Sequence, residues 1–347
     1  MNKVFAITTR GLETISAAEL TAIPGVTVEQ VAYRRIFASY GGKLDSLLAL
    51  RTVDDIFLYV ATWTGIERTR GTLRTITALS AELALEEAAH ICAQVRSVPE
   101  APIFSVTANF VGRRNFTTDE IKRACAEGVI SRLGWTYSED DALASLNLRI
   151  FIEGDTAVVG VRLGERSLSK RPYKHSHVPG SLKPTVAAAL ASVAGVKPGM
   201  RVLDPCCGAG TILIESCAYR AQAWGGDIDL ESLKAARQNA ESAGTILQLQ
   251  CWDARSLPVA DQSVERVISN LPWGRAVHTP GSLEALYAGI GTEIRRVLAP
   301  GGRAALLTNQ PELVHIEGLK CETRLEISLF GQNPTILVWR DPVPERS

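Results

Sequence analysis

The 347-residue sequence predicts an α/β protein in two parts: an α+β first half and, from about residue 181, a doubly wound, mostly parallel sheet. Three observations carry this prediction. In the first half, alternating strands turn tightly on glycine and pair with their neighbours. In the second, nearly all-apolar strands such as "RVLD", "VERVISN" and "RAALLTN" are separated by helices, the pattern of a parallel sheet covered on both faces. Between the halves, residues 165–180 contain Pro172, Pro179 and Gly180 with no apolar period, which predicts an exposed linker.

Within residues 1–65, "KVFAITT" is a strand and "GLETISAAELTA" a helix with Ala and Leu on one face. "GVTVEQVAYRRIFASYGG" gives one or two antiparallel strands, and "KLDSLLALRTVDDIFLYVATW" runs from helix to strand. That rhythm is the ferredoxin-like plan. Residues 66–164 predict a second domain. Helix "SAELALEEAAHICAQV" and strand "IFSVTANFV" precede helix "TTDEIKRACAEGVISRLG", which a Thr cap opens and Gly134 ends. A hairpin then turns at "EGDT". Residues 181–347 form the third domain. Its strands "RVLD", "AWGGDID", "LQLQCWDA", "VERVISN" and "RAALLTN" alternate with helices from "PTVAAALASVAG" to "SLEALYAGIGTEIRRVL".

The composition, 46% hydrophobic and 21% charged, is that of a soluble globular protein. Apolar stretches are too short to span a membrane, and the N-terminus lacks the apolar region of a signal peptide. Seven cysteines without framework spacing point to a reducing, cytoplasmic location. Formal net charge is zero, but Arg162–Lys174 carries five basic residues against one acid, and Arg113 and Arg114 form a smaller group. Such runs are usually solvated surface; phosphate contact is the alternative. His175 and His177 form H-x-H with nothing nearby to complete a metal site, so no metal is expected.

"VLDPCCGAGTILIE" (202–215) leaves a buried strand and opens a helix, the position where open α/β sheets bind ligands. Gly208 and Gly210 would let the backbone approach a ligand. A dinucleotide fold, hence a dehydrogenase, is the rival, but its third glycine is replaced by Leu213. Asp204 at the strand tip is wrong for a pyrophosphate and suits a cationic, amino-bearing ligand such as S-adenosylmethionine. Asp227, ending the second strand, can accept both ribose hydroxyls, while Asp229 could equally cap the next helix. Asp253, ending the third, can accept from an adenine amine. A lone Asp is more often a cap or turn residue, yet three ending successive strands behind G-x-G are unlike chance. Cys206, Thr211, Ile228, Ala254 and Asn270 complete the candidate cofactor set. Cys206 and Cys207, lacking a His base within the motif, are packing residues.

On these residues, 182–340 resembles a Rossmann-like, S-adenosylmethionine-dependent methyltransferase. The resemblance implies a seven-stranded, mostly parallel sheet closed by an antiparallel hairpin, for which "CETRLEISLFG" and "TILVWR" are available. "NLPW" (270–273) resembles the [Asp/Asn]-Pro-Pro-[Tyr/Phe/Trp] motif of enzymes that methylate ring-conjugated amines. An exocyclic amine shares its lone pair with its ring and is a poor nucleophile. Asn270 Oδ1 and the Leu271 carbonyl could hold both N–H bonds aside, Pro272 would stiffen the loop, and Trp273 would stack on a flipped base. Leu271 departs from the commoner proline. Taken alone, "SNLPWG" is equally a turn whose Trp folds back onto the core.

The motif fits adenine N6, cytosine N4, guanine N2 or protein glutamine. "IFSVTANFVGRRNFTTDEI" and "LNLRIFIEGDTAVVGVRLGERSLSKRPYK" resemble a THUMP RNA-binding domain. The "SLSKRPY" exit and "NLPWG" are similar to THUMP methyltransferases of the tRNA guanine-N2 type, over nearly the whole chain. That resemblance implies formation of N2-methylguanosine at position 6 of the tRNA acceptor stem, with the THUMP module on the CCA end. A monomer, without membrane or metal, is expected. The family's THUMP strand usually carries a basic residue where this chain has "TANF", implying displaced or weakened RNA contacts. The expected RNA-binding residues are Arg113, Arg114, Arg166, Lys170, Arg171 and Lys174. Alternatives are a ribosomal guanine as target, or a non-catalytic RNA-binding protein retaining the fold.

Overall fold

Alternating apolar residues in the first half build one sheet. In a computed structural model, which describes residues 1–273 and 282–342, the chain forms two units: Met1–Thr8 with Ala17–Leu168, and Thr9–Ser16 with Ser169–Ser347. The first unit begins with β1 (Asn2–Ile7), α1 (Glu13–Thr21, shared between the units), β2 (Val26–Ala32), β3 (Arg35–Tyr40), α2 (Asp45–Leu48) and β4 (Asp55–Trp63). It continues with α3 (Thr72–Ala81), α4 (Leu85–Cys92), β5 (Ile103–Phe110), α5 (Thr118–Leu133), β6 (Thr136–Tyr137), β7 (Leu146–Glu153) and β8 (Thr156–Arg162).

The order β2-β3-β1-β4, antiparallel throughout, is the ferredoxin-like arrangement. Strand β4 then pairs with β8, and the sheet runs on through β7, β5 and β6 to eight strands. Residues 1–65 and 66–164 therefore meet at a seam within a shared sheet. Alternation places Val4, Ala6, Ile36, Ala38, Ile56 and Leu58 in one core with Ile76, Leu85 and Ile121 from the helices. Helix α5 has the expected caps: Thr117 and Glu120 exchange side-chain and backbone hydrogen bonds, and Gly134 ends it left-handed.

The second unit contains α6 (Pro184–Val193), β9 (Arg201–Asp204), α7 (Thr211–Cys217), β10 (Gln222–Asp227), α8 (Leu230–Ser242), β11 (Gln248–Cys251), β12 (Val264–Asn270), α9 (Leu283–Val297), β13 (Leu298–Thr308), β14 (Lys320–Glu326) and β15 (Thr335–Arg340). Its seven strands run β11-β10-β9-β12-β13-β15-β14; the first five are parallel, and the β14–β15 hairpin closes one edge antiparallel to β13. The order reverses between β9 and β12, so the tips of these strands frame the crevice. No helix among the described residues is long and apolar enough to cross a membrane.

Two expectations are corrected. Residues 9–16, placed by sequence in the first domain, pack with the second unit, where Leu12 is buried among Leu182, Val186, Leu190 and Ile327. Gly11 makes this possible: at φ +92° a Cβ there would lie 2.2 Å from the Glu326 carbonyl oxygen. The segment 165–180 is more than an exposed linker. Tyr173 is buried and donates to Glu215 Oε1 at 2.7 Å; Glu215, fully buried, also lies 3.5 Å from Arg171 Nε. The Ser176 backbone exchanges hydrogen bonds with the Asn239 amide. Glu215→Ala would leave both partners without this carboxylate, and we expect a loss of about 3–5 kcal/mol in chemical denaturation, against a smaller loss for Glu215→Gln.

Candidate active site

The tips of β9, β10, β11 and β12, with residues 178–182 and the turn residues Leu329, Phe330 and Gln332, border a cavity of about 600 Å³, lined by residues of the second unit. At the tip of β9, Asp204 is buried and accepts from Ser269 Oγ at 2.7 Å and the Cys206 amide at 3.1 Å. Burial, reinforced by Asp227, outweighs those donors and pushes its carboxyl up to about 7. Asp227, at the tip of β10, accepts from the Gly208 amide at 2.9 Å and the Asp229 amide at 3.1 Å; its pKa too is raised, chiefly by burial. Asp229 caps α8, accepting from the amides of Glu231 and Ser232. Asp253, just beyond β11, is gripped by the Arg255 guanidinium at 2.6 to 3.1 Å, which holds its carboxyl below the usual range.

Cys206, Gly208, Thr211, Ile228 and Ala254 also line the cavity. Gly208 has φ +50°, a region that favours glycine. Gly210 does not line the cavity. It stands before α7 at φ +75°, where a Cβ would come within 3.1 Å of Ala236 Cβ, so its role is the turn and helix packing. Burial pushes the thiols of Cys206 and Cys207 well above their usual pKa, and both pack in apolar clusters, Cys206 with Leu203 and Cys207 with Leu213.

Asn270, Leu271, Pro272 and Trp273 all face this cavity. Asn270, the last residue of β12, donates from Nδ2 to the Gly180 carbonyl at 3.1 Å, while its Oδ1 is buried without a hydrogen-bond partner among the described residues. An amide oxygen that gives up water needs a donor, and the cavity is where one can come from. Leu271 is anchored through its amide to the Leu307 carbonyl. The Pro272 carbonyl accepts from the Tyr287 hydroxyl at 2.8 Å, and that hydroxyl also meets Thr308 Oγ1 at 2.7 Å. Trp273 is half-buried and packs against the apolar cluster containing Leu182 and Ile336 while bordering the cavity, so the two sequence readings of it meet. Gly274 lies outside the described residues.

Sequence reasoning missed several contributors: Gly180, Ser269, Tyr287, Asn309 and Phe330. Phe330 is 72% exposed at φ +52° in the turn between β14 and β15, on the cavity rim. Tyr287, Asn309 and Phe330 stand in no short motif, and each reaches the site through tertiary contacts.

Of the six basic residues proposed for RNA, three have structural duties, a correction to the expectation. Arg114 donates to the carbonyls of Ile66, Glu67 and Gly154 and lies over Phe110 and Phe116. Arg171 pairs with buried Glu215, and Lys174 Nζ donates to the Leu182 carbonyl, burial bringing its pKa down to about 8. Arg113, Arg166 and Lys170 are exposed. No cluster of three or more His, Cys, Asp and Glu side chains able to hold a metal occurs among the described residues.

The donor set fits S-adenosylmethionine. Buried Asp204 calls for a cation, Asp227 keeps lone pairs for ribose hydroxyls, and Ile228, 62% exposed, offers an apolar surface to a purine. Comparisons agree. Residues 171–316 match the family described as RMKL-like, methyltransferase domain. The tRNA (guanine(6)-N2)-methyltransferase of Thermus thermophilus is 32% identical over 317 residues, spanning 89% of this chain and 90% of that protein. The U6 snRNA (guanine-N(2))-methyltransferase THUMPD2 of Mus musculus is 30% identical over 225 residues, 61% of this chain and 40% of that longer protein. The crystal structure of TrmN from Thermus thermophilus has a TM-score of 0.81 and 29% identity, covering 99% of this chain and 100% of that one. SMU.472 complexed with SAH shares the fold, with a TM-score of 0.76 at 18% identity. Agreement over 89% of the chain in sequence and 99% in structure, with the amide-ended strand beside the acid-lined cavity, means that the chain belongs to the TrmN-like family of S-adenosylmethionine-dependent RNA (guanine-N2) methyltransferases.

Proposed function

We propose that the protein methylates N2 of a guanosine in tRNA, at position 6 of the acceptor stem, with residues 66–164 acting as the THUMP module on the CCA end and residues 1–65 as its ferredoxin-like partner. The observation that carries this reading is the buried Asn270 Oδ1, without a hydrogen-bond partner among the described residues, on a cavity bordered by Asp204, Asp227 and Asp253. The relative from Thermus thermophilus, named for guanine 6 of tRNA, supports the choice of nucleotide.

Bound S-adenosylmethionine supplies an electrophilic methyl group; the protein supplies position. Asn270 Oδ1 and the Leu271 carbonyl accept the two N2–H bonds, so the nitrogen lone pair turns toward the methyl carbon. Gly180 fixes the Asn270 amide, and Tyr287 fixes the loop through Pro272. Trp273 stacks on the flipped base, a contact of roughly 1–3 kcal/mol. A monomer in the cytoplasm is part of this reading, and the seven cysteines are all free thiols.

Incubating purified tRNA, rRNA and U6 snRNA with the protein and labelled methyl donor, then mapping nucleosides by mass, tests it. N2-methylguanosine at position 6 of tRNA is expected; incorporation confined to rRNA or U6 would overturn the tRNA assignment. For RNA contact, the exposed pair Arg166 and Lys170 are the sharpest choice. Changing both to Ala should weaken tRNA binding and lower its salt slope by about two, while a slope equal to that of the unmodified protein removes them from the interface.

A further inference from the structure

Four buried side-chain polar atoms without a hydrogen-bond partner line the cavity among the described residues: Ser181 Oγ, Asn270 Oδ1, Trp273 Nε1 and Asn309 Oδ1. Only the two amide oxygens are pure acceptors. In both asparagines the amide nitrogen is engaged: Asn270 Nδ2 by the Gly180 carbonyl at 3.1 Å and Asn309 Nδ2 by Gln332 Oε1 at 3.4 Å, and each oxygen has no partner among the described residues. Asn270 ends β12, and Asn309 lies just beyond the end of the adjacent β13. Asn270 on β12 is in register with Leu307 on β13, and Asn309 follows two residues later.

Two acceptors on residues of one cavity fit a base edge with two adjacent donors, and that demand separates the bases. In adenine and cytosine the ring nitrogen beside the exocyclic amine is itself an acceptor, so a second acceptor there would face a lone pair. In guanine, N1–H lies beside the N2 amine, and both donate. We propose that Asn309 selects guanine: its Oδ1 accepts N1–H while Asn270 Oδ1 accepts an N2–H. This rests on the proposed methylation of guanine in tRNA and adds to it the residue that reads the base. A site that strands a buried acceptor against the wrong base rejects that base strongly.

The test compares tRNA carrying guanosine with tRNA carrying 2-aminopurine riboside at the methylated position. 2-Aminopurine keeps the amine and loses both the N1 hydrogen and the O6 carbonyl; Asn309→Asp, which can accept from N1–H and cannot donate to O6, separates the two. The unmodified protein should favour guanine in kcat/KM by about ten- to a hundredfold. In Asn309→Ala that ratio should fall at least about tenfold, through lost activity on guanine, and Asn309→Asp, which keeps an acceptor, should retain most of it. A merely structural role would depress both substrates together and leave the ratio in place. An unchanged ratio in Asn309→Ala overturns the assignment. So does equal use of the two bases by the unmodified protein, which needs no variant to fold. Cofactor affinity by calorimetry reports whether each variant is intact. Absence of N2-methylguanosine with the unmodified protein defeats the tRNA reading itself, and this inference with it.

Discussion

Asn270→Ala is expected to lower methyl transfer to tRNA by at least about 10²-fold while leaving S-adenosylmethionine affinity within a few-fold. The estimate follows from what one preorganised polar group contributes when aimed at the reacting centre. The side chain donates to Gly180 and has its oxygen left over, so the variant removes an acceptor that nothing else among the described residues satisfies. The acids at the tips of β9 and β10 do not depend on it: Asp204 is held by Ser269 and Cys206, Asp227 by Gly208 and Asp229. Single-turnover rates with cofactor titrations separate the effects. Unchanged turnover would remove Asn270 from the chemistry, and a large loss of cofactor affinity would make it a cofactor ligand first.

The second large effect is a pH dependence of cofactor binding that originates at Asp204. Burial raises this carboxyl to about 7 from an ordinary 3.8, so in the free protein it is substantially protonated below neutrality. A sulfonium or ammonium group beside it favours the carboxylate and lowers the pKa in the complex. Binding therefore releases a proton below pH 7, and affinity should rise roughly tenfold per pH unit toward 7 and level off above it. The free fold shows the opposite sign: because the folded pKa is raised, this group's contribution is greatest below 3.8 and is lost as pH rises through 7. Thermal stabilisation by the cofactor should thus be largest at or above 7. Calorimetry at pH 6 in buffers of differing ionisation enthalpy should detect about one proton released. Asp204→Asn should abolish the release and weaken binding by about ten- to a hundredfold. Proton-neutral binding at pH 6 by the unmodified protein would contradict the assignment.

Much of this was legible in the sequence because it is written in local spacing. Asp204, Gly208 and Asp227 sit at strand-to-helix turns, and the N-L-P-W run ends the fourth parallel strand. The ferredoxin-like order followed from alternation, and the caps of α5 from Thr117 and Gly134. Helix α3 was not legible: "TLRTITALSA" has three β-branched threonines and no side-chain cap, so tertiary packing of Ile76 and Ser80 decides it. The buried ties of residues 171–176 were hidden for a different reason. Proline and charge suggested exposure, whereas Tyr173 and Arg171 find a carboxylate about forty residues away in sequence, on α7. Gly210 looked like a ligand contact because G-x-G is a ligand motif, yet its neighbours are Ala236 and Leu247. Asn309 carried no signal at all, since an asparagine after an apolar strand is ordinary turn chemistry.

The most direct measurement is a crystal structure of the protein with S-adenosylhomocysteine and a tRNA whose target guanosine is flipped into the cavity. Asn270 Oδ1 is expected about 3 Å from guanine N2, with the cofactor sulfur in line with the direction of that nitrogen's lone pair. A guanine N2 bound away from Asn270, or a cofactor lodged elsewhere than beside Asp204 and Asp227, would contradict this expectation.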